Sequence, residues 1–144
     1  MSLVFYNRRY NCGVCFSKYT PELLQSHPDT LFVFGDNLER KGTGGQAIIR
    51  NEPNAFGFVT KRYPSMGQGA YMTGIDEDYR AVYADFERLK EHLLQNRVIL
   101  FPSGGLGTGL ARLDIHAPEL LNLIDIKVSR LIGADYATIR TNLR

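Results

Sequence analysis

The chain has 144 residues, 44% of them hydrophobic, which fits one compact domain spanning residues 1–144 with a sizeable core and no linker. Seventeen basic residues against fifteen acidic leave a formal charge of +2, too balanced to imply a nucleic-acid-binding surface, so an anionic ligand has to be captured locally. The opening "MSLVFYNRRY" lacks the basic-then-apolar order of a secretory signal, and no apolar run approaches the roughly 20 residues of a membrane span; a soluble, cytoplasmic protein without a membrane partner is expected.

In chain order, "SLVFYNRRY" alternates apolar and polar residues, as a first strand or edge segment does. The only cysteines, Cys12 and Cys15 in "NCGVC", have the spacing of half a zinc site or of a redox pair. His27, His92 and His116 are scattered and supply no second ligand pair, and Gly13-Val14 reads as a turn, so two reduced, partly buried thiols and no metal are expected. Thr20 suits an N-cap, Pro21 the first helical position and Glu22 the first turn of a short helix ending near His27-Pro28. "TLFVFGD" is a continuous apolar run, the pattern of a strand buried on both faces.

"GQAIIRN" predicts one or two helical turns, "NAFGFVTKRYP" a turn and then a short strand, and the glycine-rich "PSMGQGAYMTGID" an extended loop. From Asp76 the spacing of Tyr79, Val82, Tyr83, Phe86, Leu89, Leu93 and Leu94 predicts an amphipathic helix of about five turns, capped by Asp76 or Asp78. A buried strand follows at Val98–Phe101. "HAPELLNLIDIKVSRLIG" reads as a last helix, with Pro118 near its start and Gly133 at its end, and "ADYATIRTNL" as a closing strand. This order predicts an α/β sandwich with a mixed sheet.

Two buried strands run into glycine loops: Gly35, Gly42, Gly44 and Gly45 after the first, Gly104, Gly105, Gly107 and Gly109 after the second. Such loops place backbone N–H groups where phosphate can approach, and in open α/β sheets ligands sit in the crevice at the carboxyl ends of strands. Either loop alone could be only a turn; two on neighbouring strands would wall a pyrophosphate site. A Walker A loop is excluded, since Lys41 precedes its glycine and no Lys follows one. Gly42-Thr43-Gly44-Gly45-Gln46-Ala47 fits G-x-G-x-x-A, but Asp36 to Lys41 separate it from the strand, unlike a dinucleotide fold.

"YTPELL", "LFVFGDNLERKGTGGQAII" and "PSGGLGTGLARL" together resemble the macro-domain superfamily, closest to small macro-domain-like proteins of tailed phages. The likeness covers roughly Tyr19 to Lys61 and Val98 to Leu113. It implies a three-layer α/β/α sandwich with a mixed central sheet and binding of ADP-ribose or a related nucleotide, free or carried on a protein or nucleic acid. By position, Asn37 would face the distal ribose. Gly42, Gly44 and Gly45, with Gly35, Thr43 and Gln46 beside them, would approach ribose and phosphate, and Ser103, Gly104, Gly105, Leu106, Gly107, Thr108 and Gly109 would form the phosphate loop. The G-D-I-T segment that holds adenine in many macro domains is not found, Thr43 breaks the glycine run, and Gln46 stands where a small apolar residue is common.

The reaction implied is hydrolysis at the distal ribose, of a 1″-phosphate or an ADP-ribosyl linkage, with no cofactor. Asp36 is the candidate general base, or a turn residue, and Asn37 its neighbour in the catalytic pair. Lys61, Arg62 and Arg112 could neutralise phosphate charge, Asp114 reads as a helix cap, His116 is open, and Tyr71 or Tyr79 could stack on a base or pack in the core. A non-catalytic nucleotide-binding module, or a phage accessory protein acting on a host protein, are the alternative readings.

Overall fold

The computed structural model describes residues 3–142. Five strands, β1 (Leu3–Asn7), β2 (Cys12–Cys15), β3 (Thr30–Asn37), β4 (Ala55–Lys61) and β5 (Val98–Pro102), form one sheet in the order β1-β2-β5-β3-β4. β1 pairs antiparallel with β2, and all other neighbours are parallel, so the chain is an α/β protein with a mixed sheet. The carboxyl ends of β2, β5, β3 and β4 therefore lie along one edge.

Alternation along the strands assigns the two faces. Leu31 and Val33 of β3 join Ile99 and Phe101 of β5 in one core, which receives α2 (Asp76–Leu94), α4 (Pro118–Ile132) and α5 (Tyr136–Asn142). Phe32, Phe34 and Leu100 face the other way, against α1 (Pro21–Gln25) and a 3₁₀ turn at Gly45–Ile49. Because both faces of β3 are covered, its sequence is a continuous apolar run, and each fully buried Phe, Leu or Val contributes about 1.5–3 kcal/mol.

Local chemistry sets the helix ends. Thr20 accepts from the Leu23 N–H at 3.1 Å and Pro21 opens α1; Gly133, at φ +71°, ends α4. Asp78, rather than Asp76, caps α2: its Oδ2 accepts from the N–H groups of Thr73, Gly74 and Ile75. Asp114 lies in α3 (Leu113–His116) and caps nothing; α4 starts at Pro118 without a side-chain cap.

Two expectations are corrected. The closing segment is α5, not a strand: Asp135 accepts from Thr138 N–H, and buried Tyr136 and Ile139 stand three apart on one helical face. Its β-branched and aromatic residues gave it the composition of a strand, but packing against α4 selects the helix. Ser2 and Leu143, the outer ends of the two predicted terminal strands, lie outside the described residues. Cys12–Cys15 is strand β2, not a turn. Cys12 belongs to the larger core and Cys15 to the smaller, so the thiols leave opposite faces and do not meet. Burial pushes the Cys12 thiol up to about 12 and also raises Cys15, against a hydrogen bond to the Ser17 backbone that lowers it.

Candidate functional site

The sheet forks at its carboxyl edge. β3 and β5 pair only from Thr30–Val98 to Phe32–Leu100; beyond that β3 stays with β4, while Phe101 and Pro102 of β5 stay with β2. Backbone groups of β3 above the fork are met by side chains: among them, Tyr19 Oη donates to the Val33 carbonyl at 2.8 Å, and Gly35 N–H donates to Gln46 Oε1 at 2.9 Å. Both glycine loops rise from this fork, and a cleft of 320 Å³ opens beside it. Parallel strands parting at their carboxyl ends are where open α/β sheets bind ligands.

Asp36 sits at the base of the cleft but is only 5% exposed. A carboxylate offers about four lone-pair positions, and here all are taken. Oδ1 accepts from Asn37 N–H and Arg50 Nη2, and Oδ2 from Arg50 Nη1 and, at 3.5 Å, from Arg40 Nη1. The side chain fits because Gly57 faces it; a Cβ there would collide with Asp36 Oδ2. Arg40 continues around edge strand β4, donating to the Gly57 carbonyl at 2.9 Å and to both oxygens of buried Asp85 on α2. Asp85 in turn accepts from Val59 N–H at 2.7 Å, so side chains close the free edge of β4. Asp36 is thus held on both carboxylate oxygens, by Arg50, Arg40 and the Asn37 N–H, while lying in the cleft lining.

Asn37, one residue on, is different. Its Nδ2 donates to the Lys41 carbonyl at 2.8 Å, which fixes the loop after β3, but its buried Oδ1 has no donor among the described residues. Buried acceptors are almost always satisfied, so this one marks a place for a donor from a ligand. Lys61, at the end of β4, is also in the cleft wall and 6% exposed. Its Nζ donates to the Ser65 carbonyl at 2.6 Å and contacts Met66 Sδ at 3.4 Å, lies 5.0 Å from the Tyr71 ring centre, and forms no ion pair among the described residues. Burial lowers its pKa.

In the second loop, Gly105, Gly107 and Gly109 line the same cleft as Gly35, Gly42, Gly44 and Gly45. Gly107 has φ +86°, and a Cβ on it would run into Leu113, whose N–H bonds the Gly107 carbonyl at 2.8 Å. Ser103 and Gly104, with Thr43, lie instead around a second cavity of 660 Å³ on the Phe16–Thr20 side. Leu106 is fully buried in the core, and Thr108 Oγ1 donates to the Gly104 carbonyl at 2.9 Å, tightening the turn. Gln46 borders both cavities: besides accepting from Gly35, it donates from Nε2 to the Gly105 carbonyl at 3.2 Å.

The remaining candidates lie outside the cleft lining. Arg62 is held by Asp78 through two hydrogen bonds, and Arg112 faces Asp114 at 3.8 Å on the surface. Tyr71 stacks on His116 with ring centres 4.2 Å apart, and Tyr79 packs against the larger core. The residue that sequence reasoning missed is Arg50. Besides gripping Asp36, it donates from Nε to the Gly42 carbonyl at 2.7 Å and from Nη2 to the Lys41 carbonyl at 3.1 Å, so it shapes the first glycine loop. The available signal was Asp36 itself, since a carboxylate at the end of a buried strand requires a cationic partner.

Fold and site together define an α/β protein with a glycine-walled cleft at the carboxyl edge of its sheet. Residues 14–127 match a family described as being of unknown function, DUF7831, and the chain belongs to that family. Among the curated proteins and the solved structures, none matches. Among the described residues, no helix is long and apolar enough to cross a membrane.

Proposed function

We propose that the cleft binds ADP-ribose or a closely related nucleoside diphosphate, in a macro-domain-like three-layer α/β/α arrangement. The layering is supported by α2, α4 and α5 on one face of the sheet and α1 with the 3₁₀ turn on the other. The observation that carries the binding reading is the unpartnered Oδ1 of Asn37 in the wall of a cleft built from both glycine loops. A ribose hydroxyl donating to that oxygen satisfies it, and Lys61, a buried cation without a carboxylate, supplies attraction for phosphate.

Hydrolysis at the distal ribose is the second reading, and Lys61 is what favours it. A desolvated amine with a lowered pKa is the kind of group that serves as nucleophile or base. Asp36, the base expected from sequence, has its lone pairs filled by Arg50, Arg40 and Asn37 N–H, so in this reading it positions Arg50 and the loop.

Titration calorimetry with ADP-ribose, AMP and NAD tests the proposal. ADP-ribose is expected to give binding heat, and Asn37→Ala to weaken it by about tenfold to a hundredfold, the cost of one lost buried hydrogen bond. Heat from none of the three nucleotides overturns both readings.

A further inference from the structure

The crevice between β3 and β5 is divided. On one side lies the 320 Å³ cleft with Asn37 and Lys61, on the other the 660 Å³ cavity with Lys18, Thr43 and Ser103, and Gln46 stands between them. Its carboxamide crosses the fork, with Oε1 2.9 Å from Gly35 N and Nε2 3.2 Å from Gly105 O. Above Phe32 the two strands no longer pair, and this amide joins β3 to the loop that follows β5. It arises at the start of the 3₁₀ turn, after the exposed Gly44 and Gly45 and before the buried Ala47, and among the described residues its amide hydrogen-bonds to these two backbone groups.

We propose that Gln46 is a latch that sets the length of ligand this site accepts, an inference that rests on the nucleotide-binding reading above. A ligand confined to the Asn37 side, such as a phosphorylated pentose, leaves the latch closed. One long enough to span both cavities, a nucleoside diphosphate joined to a second sugar, must swing the amide aside. The groups then released are one donor, Gly35 N–H, and one acceptor, Gly105 C=O. A fragment that replaces the carboxamide must offer an acceptor and a donor at similar separation, which a phosphoryl oxygen and an adjacent ribose hydroxyl provide. A bare polyphosphate has no donor for the Gly105 carbonyl and is disfavoured.

The test compares wild type, Gln46→Ala and Gln46→Met, the last keeping the side-chain volume without the hydrogen bonds, each checked for folding by thermal unfolding. Ribose 5-phosphate and ADP-ribose are titrated by calorimetry, and exchange of the Gly35 amide is followed by NMR without ligand. Two net hydrogen bonds no longer broken on binding should tighten ADP-ribose by about tenfold or more in both variants, with ribose 5-phosphate unchanged within about twofold. Gly35 exchange should accelerate in both. Equal changes for the two ligands, weaker ADP-ribose binding, or unaltered Gly35 exchange overturns the latch while leaving the binding site in place. No heat from either ligand with any of the three proteins overturns the nucleotide reading and the latch with it.

Discussion

Arg50 grips both carboxylate oxygens of Asp36, with Nη1 3.0 Å from Oδ2 and Nη2 2.5 Å from Oδ1, and the same guanidinium holds the carbonyls of Gly42 and Lys41. One buried ion pair therefore ties the end of β3 to the glycine loop that walls the cleft. Removing Arg50 leaves buried Asp36 with only the 3.5 Å contact to Arg40 and the Asn37 N–H, so Arg50→Ala is expected to lose about 3 kcal/mol of stability in urea denaturation. Arg50→Lys keeps the charge but not the fork, and should recover only part of that loss. A loss below about 1 kcal/mol in the alanine variant would show the pair to be solvated rather than buried.

Lys61 carries the opposite trade. Its ammonium is buried without a carboxylate, so Lys61→Met should raise stability by about 1 kcal/mol while weakening ADP-ribose at least tenfold. Because burial lowers the Lys61 pKa from 10.5, the charged form is the one disfavoured by folding; its cost is full below the lowered pKa and fades as pH rises from there to the ordinary lysine value. The gain from Lys61→Met should accordingly shrink at alkaline pH. Denaturation at pH 7 and pH 10 with parallel calorimetry checks both halves, and a destabilised variant contradicts the account.

Asp78 is expected to contribute to acid sensitivity. Burial pushes its carboxyl up, but the Arg62 hydrogen bonds and the N–H groups of Thr73 and Gly74 outweigh burial, and the net pKa falls below 3.8. A carboxylate depressed in the folded state stabilises above its unfolded value and loses that contribution as pH falls through the folded one. Stability of wild type should drop more steeply below about pH 4 than that of Asp78→Asn, whose start is lower. Parallel curves over that range would assign acid unfolding to other groups.

The two glycines Gly107 and Gly109 separate backbone need from ornament. Gly107→Ala meets a left-handed φ and the Leu113 side chain together and should cost about 2–4 kcal/mol. Gly109→Ala has no atom within 4 Å of its new Cβ and should stay within about 0.5 kcal/mol. Melting curves of the two single variants decide it; similar losses would mean the loop tolerates no side chain anywhere.

Much of the framework was readable along the chain. The apolar run Leu31–Phe34 announced a doubly covered strand, Thr20-Pro21 a helix start, and the 3.6-residue spacing from Tyr79 to Leu93 the long helix, because each signal is carried by residues within one turn or one strand of each other. A cleft at the carboxyl edge was suggested by the pairing of two glycine loops after buried strands, either of which alone could have been only a turn. Tyr136–Asn142 misled because its β-branched residues speak to propensity, whereas its conformation follows from Tyr136 and Ile139 packing on α4.

The sequence by itself determined the two buried strands, the long helix and the two glycine loops, but neither β2 nor α5. Tertiary structure alone decided which polar residues face the cleft. Asp36 and Asn37 are chain neighbours at one strand end, yet strand alternation and the approach of Arg50 from fourteen residues away bury the first in an ion pair. The second is left with an unmet acceptor. Partnerships between distant side chains depend on how strands pair and where the sheet forks, and neither is encoded in local spacing.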